Sequence, residues 1–190
     1  MLSAKNMSRF QFYEAIVRVA YFKFKVPGLT DTVYEGLQKV MAIITKKYDN
    51  YQWMGWRQEE LWTLEIDDLY KANLKAMQKL YKYYNVAKKT KTYYLEDAIE
   101  MFTKDVTLNL LPEMVSQCWG MSKSTNYFDI KNRKAYYEAP FVEFLEFFAR
   151  LGMRNFSQFT STPLQEKVEW LMDLSFPIVN AKRKEVKNET

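Results

Sequence analysis

Residues 144–152 read FLEFFARLG, an apolar run that contains a Glu and an Arg four positions apart. Side chains four positions apart lie on the same face of an α-helix, so Glu146 and Arg150 can form an ion pair along it. The apolar residues around this pair continue over residues 141–156. The pattern predicts a strongly apolar helix in the C-terminal part of the chain.

A related segment lies near the start of the sequence. Residues 12–20, FYEAIVRVA, align with residues 144–152 at an offset of 132, which pairs the Glu and the Arg of the two segments. After a one-residue deletion, residues 31–41 align with residues 162–172. Amphipathic helices can resemble one another by chance. The shared cap position and the paired charges favour an internal repeat, in which each end forms a helix, a loop and a capped helix.

Helical spacing of apolar residues predicts a bundle of about seven helices joined by short loops. Gly and Pro number five each, and all five Pro and three of the Gly lie between the periodic segments or at their ends. The predicted helices cover residues 8–24, 31–48, 57–84, 95–103, 112–120, 141–156 and 162–176. Asp31 and Thr162 are the predicted N-caps of the second and last helices, and the longest predicted loop covers residues 122–139.

The longest predicted helix, over residues 57–84, carries one apolar face. The residues of this face recur every three or four positions: Trp62, Ile66, Leu69, Asn73, Met77, Leu80 and Tyr84. A helix of this kind packs its apolar face on a core and leaves the opposite face in solvent.

The length of 190 residues and the hydrophobic fraction of 48% fit one domain with a sizeable core. The predicted fold class is all-α, in a single helical domain over residues 1–180. That domain comprises a helix pair at 8–48, a region at 57–156 and a last helix at 162–176. Residues 181–190 are predicted to form a basic tail. No apolar run reaches 18 residues, so the sequence predicts no membrane span.

The sequence predicts no catalytic, cofactor-binding or metal site. It contains no histidine, which removes the commonest general base and the usual zinc ligand. Its single cysteine, Cys118, lies in an apolar stretch and favours a buried structural thiol. No Gly-rich phosphate loop is present. Clustered carboxylates such as Glu59 and Glu60 fit solvated helix faces better than an active site. We therefore predict a protein that is not an enzyme and has no small-molecule substrate.

Charge and aromatic content indicate how the chain binds partners. Aromatic residues make up 17% of the sequence, the net charge is +5 and the pI is about 9.0. The aromatics either fill the core or lie on the surface as anchors for partners, and both interpretations stay open. The positive charge favours an acidic partner, such as nucleic acid, an anionic membrane or an acidic protein surface. No recognition helix or RNA-binding signature accompanies it, which favours a protein.

The candidate partner-binding residues are two tryptophans and three groups of basic residues. They are Trp53, Trp56, Lys88, Lys89, Lys91, Lys131, Arg133, Lys134, Lys182, Arg183 and Lys184.

Two segments resemble the starts of EF-hand helices: residues 95–102, LEDAIEMF, and residues 141–148, FVEFLEFF. With them, residues 57–153 resemble a degenerate EF-hand pair. Residues 121–146 are similar to calmodulin-like proteins of protist ciliary axonemes. The resemblance covers about half the chain. It implies EF-hand-like helix-loop-helix pairs and an architectural role beside tubulin or neighbouring axonemal proteins.

Calcium binding is not expected from these loops. An EF-hand loop supplies oxygen ligands at positions 1, 3, 5, 7, 9 and 12 and has Gly at position 6. Placing Glu146, Glu100 or Glu14 at position 12 brings Ala, Lys, Tyr, Met or Arg to earlier ligand positions. Position 6 is not Gly in any of the three. The resemblance therefore implies a helical block that has lost its ion.

The leading hypothesis is a cytoplasmic, cytoskeletal protein that binds microtubules or neighbouring proteins in the axoneme of a cilium. One alternative is an accessory helical subunit of a mitochondrial complex. Another is an EF-hand calcium sensor, which the ligand positions do not favour.

Overall fold

The structure is a computed structural model that describes residues 9–48, 53–88, 92–106, 108, 110–124, 131–184 and 186. The described residues form ten α-helices and one two-stranded sheet, so the predicted all-α class is confirmed. The chain divides into two compact units, Met1–Gln52 and Trp53–Thr190. This division describes compact units and does not test the single domain predicted over residues 1–180, which stays a prediction.

The N-terminal unit is a helical hairpin of α1 (Arg9–Ala20) and α2 (Val33–Tyr48). A single π-helical turn, Tyr21–Lys25, extends α1. The capping side chain of α2 is Thr32 rather than the predicted Asp31, because the Glu35 backbone N–H donates to Thr32 Oγ1 at 3.1 Å. The Glu35 carboxylate in turn accepts from the Asp31 backbone N–H at 3.0 Å, as in a capping box.

The C-terminal unit contains the remaining eight helices and both strands. Its elements are α3 (Trp53–Trp56), α4 (Leu64–Ala72), α5 (Leu74–Tyr81), α6 (Tyr83–Lys88), β1 (Tyr93–Tyr94), α7 (Leu95–Glu100), α8 (Pro112–Ser122), β2 (Glu138–Ala139), α9 (Phe141–Asn155) and α10 (Leu164–Ser175). Single π-helical turns follow α3 (Arg57–Leu61) and α7 (Met101–Asp105). 3₁₀ turns precede β2 (Arg133–Tyr136) and follow α10 (Phe176–Val179).

The long helix predicted over residues 57–84 is interrupted, although five of the seven residues of its apolar face are buried. Trp62 and Thr63 leave the helical conformation before α4, and Asn73 separates α4 from α5. The Asn73 side-chain amide donates to Leu69 O and to Lys184 O, each at 3.0 Å. Such side-chain bonds compete with the helical ladder. Trp62 stands at the first break and is 41% exposed, unlike the rest of its predicted face.

The same contact holds the C-terminal segment, for which the sequence predicted a free tail from residue 181. The Lys184 backbone N–H donates to Asn73 Oδ1 at 2.7 Å. Ala181 and Val186 also pack on the core. A buried amide needs partners for both its ends, and this segment supplies them.

The core of the C-terminal unit is built around aromatic side chains of α9. Phe144, Phe147 and Phe148 are fully buried. The Phe144 ring lies 4.9 Å from Tyr93, and the Phe147 ring lies 5.4 Å from Trp119, both edge-on. Edge-to-face packing adds to the burial of large apolar surface. In this unit, therefore, much of the aromatic content builds the core.

The two strands join the starts of α7 and α9. They pair antiparallel, with Tyr93 opposite Ala139 and Tyr94 opposite Glu138. The sequence predicted no strand, and it assigned residues 122–139 to a loop. The pairing depends on contacts between segments more than 40 residues apart in sequence, which local periodicity does not contain.

None of the helices in the described ranges has the length and apolar composition needed to cross a membrane.

Candidate protein-binding surfaces

Most large apolar side chains of the N-terminal hairpin are exposed. Among its described side chains, residues 9–46, the buried residues are Ala20, Thr30, Gly36 and Val40. The exposed large hydrophobic residues of this hairpin are Phe10, Phe12, Tyr13, Val17, Val19, Tyr21, Phe22, Val26, Leu29, Tyr34, Met41 and Ile43. Exposed apolar surface on this scale typically marks an interaction site.

The hairpin also carries most of the net positive charge. Residues 1–52 contain 8 Lys and Arg against 4 Asp and Glu, and the rest of the chain is close to neutral. Several of these cations are fixed by local contacts. Lys25 Nζ donates to Asp31 O at 2.7 Å, and Lys39 Nζ donates to Leu29 O at 3.2 Å. The surface therefore combines exposed aromatic rings with ordered positive charge, which favours an acidic partner.

The structure describes only part of the first predicted binding group, which comprises the two tryptophans and the lysines at 88, 89 and 91. Trp53 and Trp56 lie in α3, and Lys88 is the last residue of α6. Lys89 and Lys91 lie outside the described residues. Trp56 is half-buried and packs against the core. The role of these residues in binding stays a prediction.

The other basic residues are mostly on the surface. Lys131, Arg133 and Lys134 are exposed in the segment before β2. Lys182 and Lys184 are exposed after the last 3₁₀ turn.

Arg183 is partly buried between two carboxylates of α10. Its Nε donates to Asp173 at 2.9 Å and its Nη1 donates to Glu169 at 2.5 Å. Its charge is therefore engaged within the chain, unlike that of its two neighbours.

A buried charge network lies beside Trp56. Arg57 Nε donates to both oxygens of Glu146, at 2.7 and 2.8 Å, and Arg150 Nε donates to the same carboxylate at 2.9 Å. The Arg150 guanidinium also lies 4.2 Å from the centre of the Trp56 ring. The side chains of Glu146 and Arg150 are 7% and 1% exposed. Burial lowers the pKa of Arg150, and the Glu146 contact opposes that shift.

This charge network connects the turn after α3 with α9 and with the end of α8. Arg57 Nη2 donates to Met121 O and Lys123 O at 3.2 Å, which ties the turn after α3 to the end of α8. The sequence identified the Glu146–Arg150 pair but gave no sign that Arg57 joins it. The apolar residues around the pair in FLEFFARLG were the signal of its burial, because a helix apolar on every face is a buried helix.

A second enclosed cation lies at the start of α9. Lys123 Nζ donates to the Glu143 carboxylate and to Glu138 O. Its Nζ lies 5.1 Å from the centre of the Trp119 ring. The other Glu143 oxygen accepts from the Ser124 backbone N–H at 3.0 Å. The Lys123 ammonium group thus lies between oxygen acceptors and an aromatic face, as a bound cation would.

The described residues contain no group of three His, Cys, Asp or Glu side chains arranged to hold a metal ion. Carboxylates do line an open groove of about 460 Å³ at the starts of α4 and α10, where Glu59, Glu60 and Glu65 lie. Hydrogen bonds from its own backbone and from Thr63 lower the pKa of Glu65. A lowered pKa means that the Glu65 carboxylate stays charged near the helix start and does not act as a proton donor.

Cys118 is buried, as predicted, and its Sγ lies 3.7 Å from Arg150 O. Burial raises the pKa of its thiol to about 11. A cysteine acts as a nucleophile through its thiolate. At neutral pH this thiol is almost fully protonated, which does not suit nucleophilic catalysis.

The buried thiol makes stability depend on pH. Because the folded pKa of about 11 exceeds the ordinary value of ~8.5, its contribution is complete below pH ~8.5 and is lost as the pH rises toward 11. We expect the free energy of unfolding to fall by about 1–1.5 kcal/mol between pH ~7.5 and ~9.5. Urea unfolding at each pH checks this, with Cys118→Ala as the control. An equal slope in that variant would contradict the assignment.

Comparisons with protein-family models, curated proteins and solved structures found no match to this chain.

Proposed function

We propose that this chain is a non-enzymatic structural protein that binds other proteins within a large assembly. The observation that carries the proposal is the exposed apolar surface of the N-terminal hairpin, where twelve large hydrophobic side chains are in solvent. A two-helix hairpin that leaves this much apolar surface uncovered buries too little to be stable by itself. Contact with a neighbour would cover the surface and add stability by mass action.

We further propose that the C-terminal unit derives from an EF-hand pair. Two helix–strand–helix segments support this, because β1 leads directly to α7 and β2 leads to α9 within two residues. The third residue of each following helix is a carboxylate, Asp97 and Glu143. Lys123 contacts the backbone carbonyl of Glu138 and the carboxylate of Glu143, which are five residues apart. An EF-hand loop has the same spacing between the backbone carbonyl at position 7 and the carboxylate at position 12.

This register differs by three residues from the one that the sequence suggested. It moves position 12 from Glu100 and Glu146 to Asp97 and Glu143. In the second loop, positions 3, 5 and 9 then become Lys134, Tyr136 and Pro140, which are again unsuitable for calcium. Lys123 supplies a resident ammonium to the oxygens that remain. The calcium-sensor alternative predicts micromolar binding by calorimetry, whereas this arrangement predicts none.

The internal repeat is supported by a close approach between the two helices of each hairpin, α1 with α2 and α9 with α10. A Cβ added to Gly36 would lie 3.0 Å from Ala20 O, and one added to Gly152 would lie 3.1 Å from Lys167 O. The alignment that pairs residues 12–20 with 144–152 equates Ala20 with Gly152, and its continuation equates Gly36 with Lys167. Both hairpins therefore have a close helix–helix contact at the same aligned position, with a small residue on one helix or on both.

The close approach at Gly152 gives a stability prediction. We expect Gly152→Ala to lower the free energy of unfolding by about 1–3 kcal/mol, because backbone atoms of α10 would have to move. Gly120→Ala in α8 is the matched control, since no atom lies within 4 Å of an added Cβ there. It should stabilise by about 0.5–1 kcal/mol through helix propensity. Urea denaturation of both variants distinguishes a close contact from a general effect of removing glycine.

The axoneme is the assembly that we propose, and the support for it is the resemblance of residues 121–146. Imaging the full chain, tagged at its C-terminus in the source cell, tests this directly. Signal along the cilium that survives detergent extraction would support an axonemal scaffold that contacts tubulin or a neighbouring protein. Mitochondrial signal would favour the accessory-subunit alternative and would leave the protein-binding proposal standing. A protein that is monomeric and unattached after gentle fractionation would contradict both.

A further inference from the structure

The C-terminal hairpin, formed by α9 and α10, buries an apolar face whose aligned counterpart in the N-terminal hairpin is largely exposed. Phe144, Phe148, Leu151, Val168 and Met172 of α9 and α10 are all fully buried. Their aligned counterparts in the N-terminal hairpin form what we call the α1–α2 face: Phe12, Ile16, Val19, Leu37 and Met41.

The α1–α2 face is largely open to solvent. Phe12 and Val19 are each 51% exposed and Met41 is 40% exposed, while Ile16 and Leu37 are half-buried. The three α1 residues lie at positions i, i+4 and i+7, so they share one side of the helix. The hairpin thus leaves uncovered the face that its repeat uses as core.

What covers the equivalent face in the C-terminal hairpin is mainly helical, although Tyr93 of β1 also contacts Phe144. α5 and α8 pack on α9, and α4 packs on α10. A face with this spacing and this close helix–helix contact fits another helix, which would lie in it with apolar residues every three or four positions. A lipid surface has no corresponding grooves, so the geometry favours a protein helix.

The net charge of the N-terminal unit indicates the charge of the helix that binds it. The N-terminal unit carries a net charge of +4 from 8 basic and 4 acidic residues, so a second copy of the same hairpin would bring like charges together. Acidic residues on the partner would be attracted to the net positive charge of this unit, which includes the exposed Lys23, whereas Arg18 already pairs with Glu14.

We infer that the α1–α2 face binds an acidic amphipathic helix of a neighbouring protein. This rests on the proposed role in an assembly and adds the surface and the partner class to it. The apolar side of the partner helix covers Phe12, Val19 and Met41, and its carboxylates lie toward the basic residues of the hairpin. Binding buries the aromatic surface that the folded chain leaves in water.

The first test uses photo-cross-linking from the face in the intact assembly. The photoreactive residue benzoylphenylalanine replaces Phe12 in the full chain, and Val142, which is 62% exposed in the C-terminal unit, is the matched control site. We expect position 12 to cross-link to a peptide that is net acidic and has apolar residues every three or four positions. Cross-links to lipid, to a second copy of this chain or to a basic segment would overturn the inference.

The second test measures binding with defined probes. One peptide of ~18 residues, about five helical turns, has Leu at helical spacing and Glu elsewhere, and a matched peptide has Lys in place of Glu. Fluorescence anisotropy should show at least a ~10-fold preference of the full chain for the Glu peptide, weakening as salt rises. Val19→Ser with Leu37→Ser should lower that affinity ~10-fold, and Val142→Ser should not. No preference between the peptides, or tighter binding to phosphatidylserine vesicles, would overturn the inference.

Failure of the inference and failure of the proposed function are separable. A protein that remains in a detergent-resistant assembly, but neither cross-links to an acidic helix from position 12 nor prefers the Glu peptide, is a scaffold that uses another surface. A protein found outside any assembly contradicts the proposed function itself.

Discussion

Replacing Glu146 by Gln is expected to lower the free energy of unfolding by about 3–5 kcal/mol. The substitution keeps the size of the side chain and removes the charge of a carboxylate that both Arg57 and Arg150 contact. The two guanidinium groups would remain close together without the Glu146 charge between them, and Arg150 is almost fully buried. The loss is large because breaking a buried ion pair leaves a desolvated charge without compensation.

Tryptophan fluorescence during urea denaturation measures this effect, since all five tryptophans lie in the C-terminal unit. The control is Asp67→Asn, which removes an exposed ion pair to Lys71 on α4. It should change stability by less than about 1 kcal/mol. Equal effects of the two substitutions would show that the buried network carries no special weight.

A further variant separates the cost of an unpaired charge from the value of the network. Arg57, Glu146 and Arg150 are replaced together by Met, Leu and Met. Buried ion pairs replaced by apolar residues of similar volume are often neutral or stabilising. We therefore expect this triple variant to be more stable than Glu146→Gln by about 3 kcal/mol or more. A triple variant as unstable as the single one would mean that the network fixes the packing of α3 and α8 on α9.

The sequence predicted helices where apolar periodicity is strong and unbroken. The predicted helix at 141–156 corresponds to α9 (Phe141–Asn155), and the one at 162–176 corresponds to α10 (Leu164–Ser175). The break at Asn73 was missed because part of its cause lies 111 residues away, since the Asn73 amide donates to Lys184 O as well as to Leu69 O. Periodicity describes one segment at a time, so a side chain that bonds to a distant segment leaves no local trace.

The candidate surface was missed for a similar reason. α1 and α9 have similar patterns of apolar and charged residues, and the sequence left open whether aromatics fill the core or lie on the surface. The structure separates the two cases, with Phe144 fully buried and its aligned residue Phe12 half in solvent. The difference depends on which helices pack against each face. The exposure of five predicted basic residues, by contrast, was identifiable, because charged side chains at loops and chain ends are generally exposed. These are Lys131, Arg133, Lys134, Lys182 and Lys184.

Replacing Lys123 by Met is expected to lower the free energy of unfolding by about 2–4 kcal/mol. The methionine fills similar space and removes the ammonium group that Glu143 and Glu138 O share. The Lys123 and Glu143 side chains are 9% and 12% exposed, so water replaces the lost bonds only in part. Lys131→Met is the control, because Lys131 is exposed in the same part of the chain and should change stability by less than about 0.5 kcal/mol.

Calcium added to the same two proteins tests the proposal that the segment before α9 is an EF-hand loop that no longer binds its ion. Calcium takes about 6–8 oxygen ligands, whereas the Lys123 contacts are one carboxylate and one carbonyl. We expect calcium at about 1 mM to leave the unfolding midpoint of both the unaltered protein and Lys123→Met unchanged. If calcium restored the stability of the variant, the loop would be a calcium site that its own lysine closes. The loss of ion binding would then depend on that one residue, because the remaining ligands would still be competent.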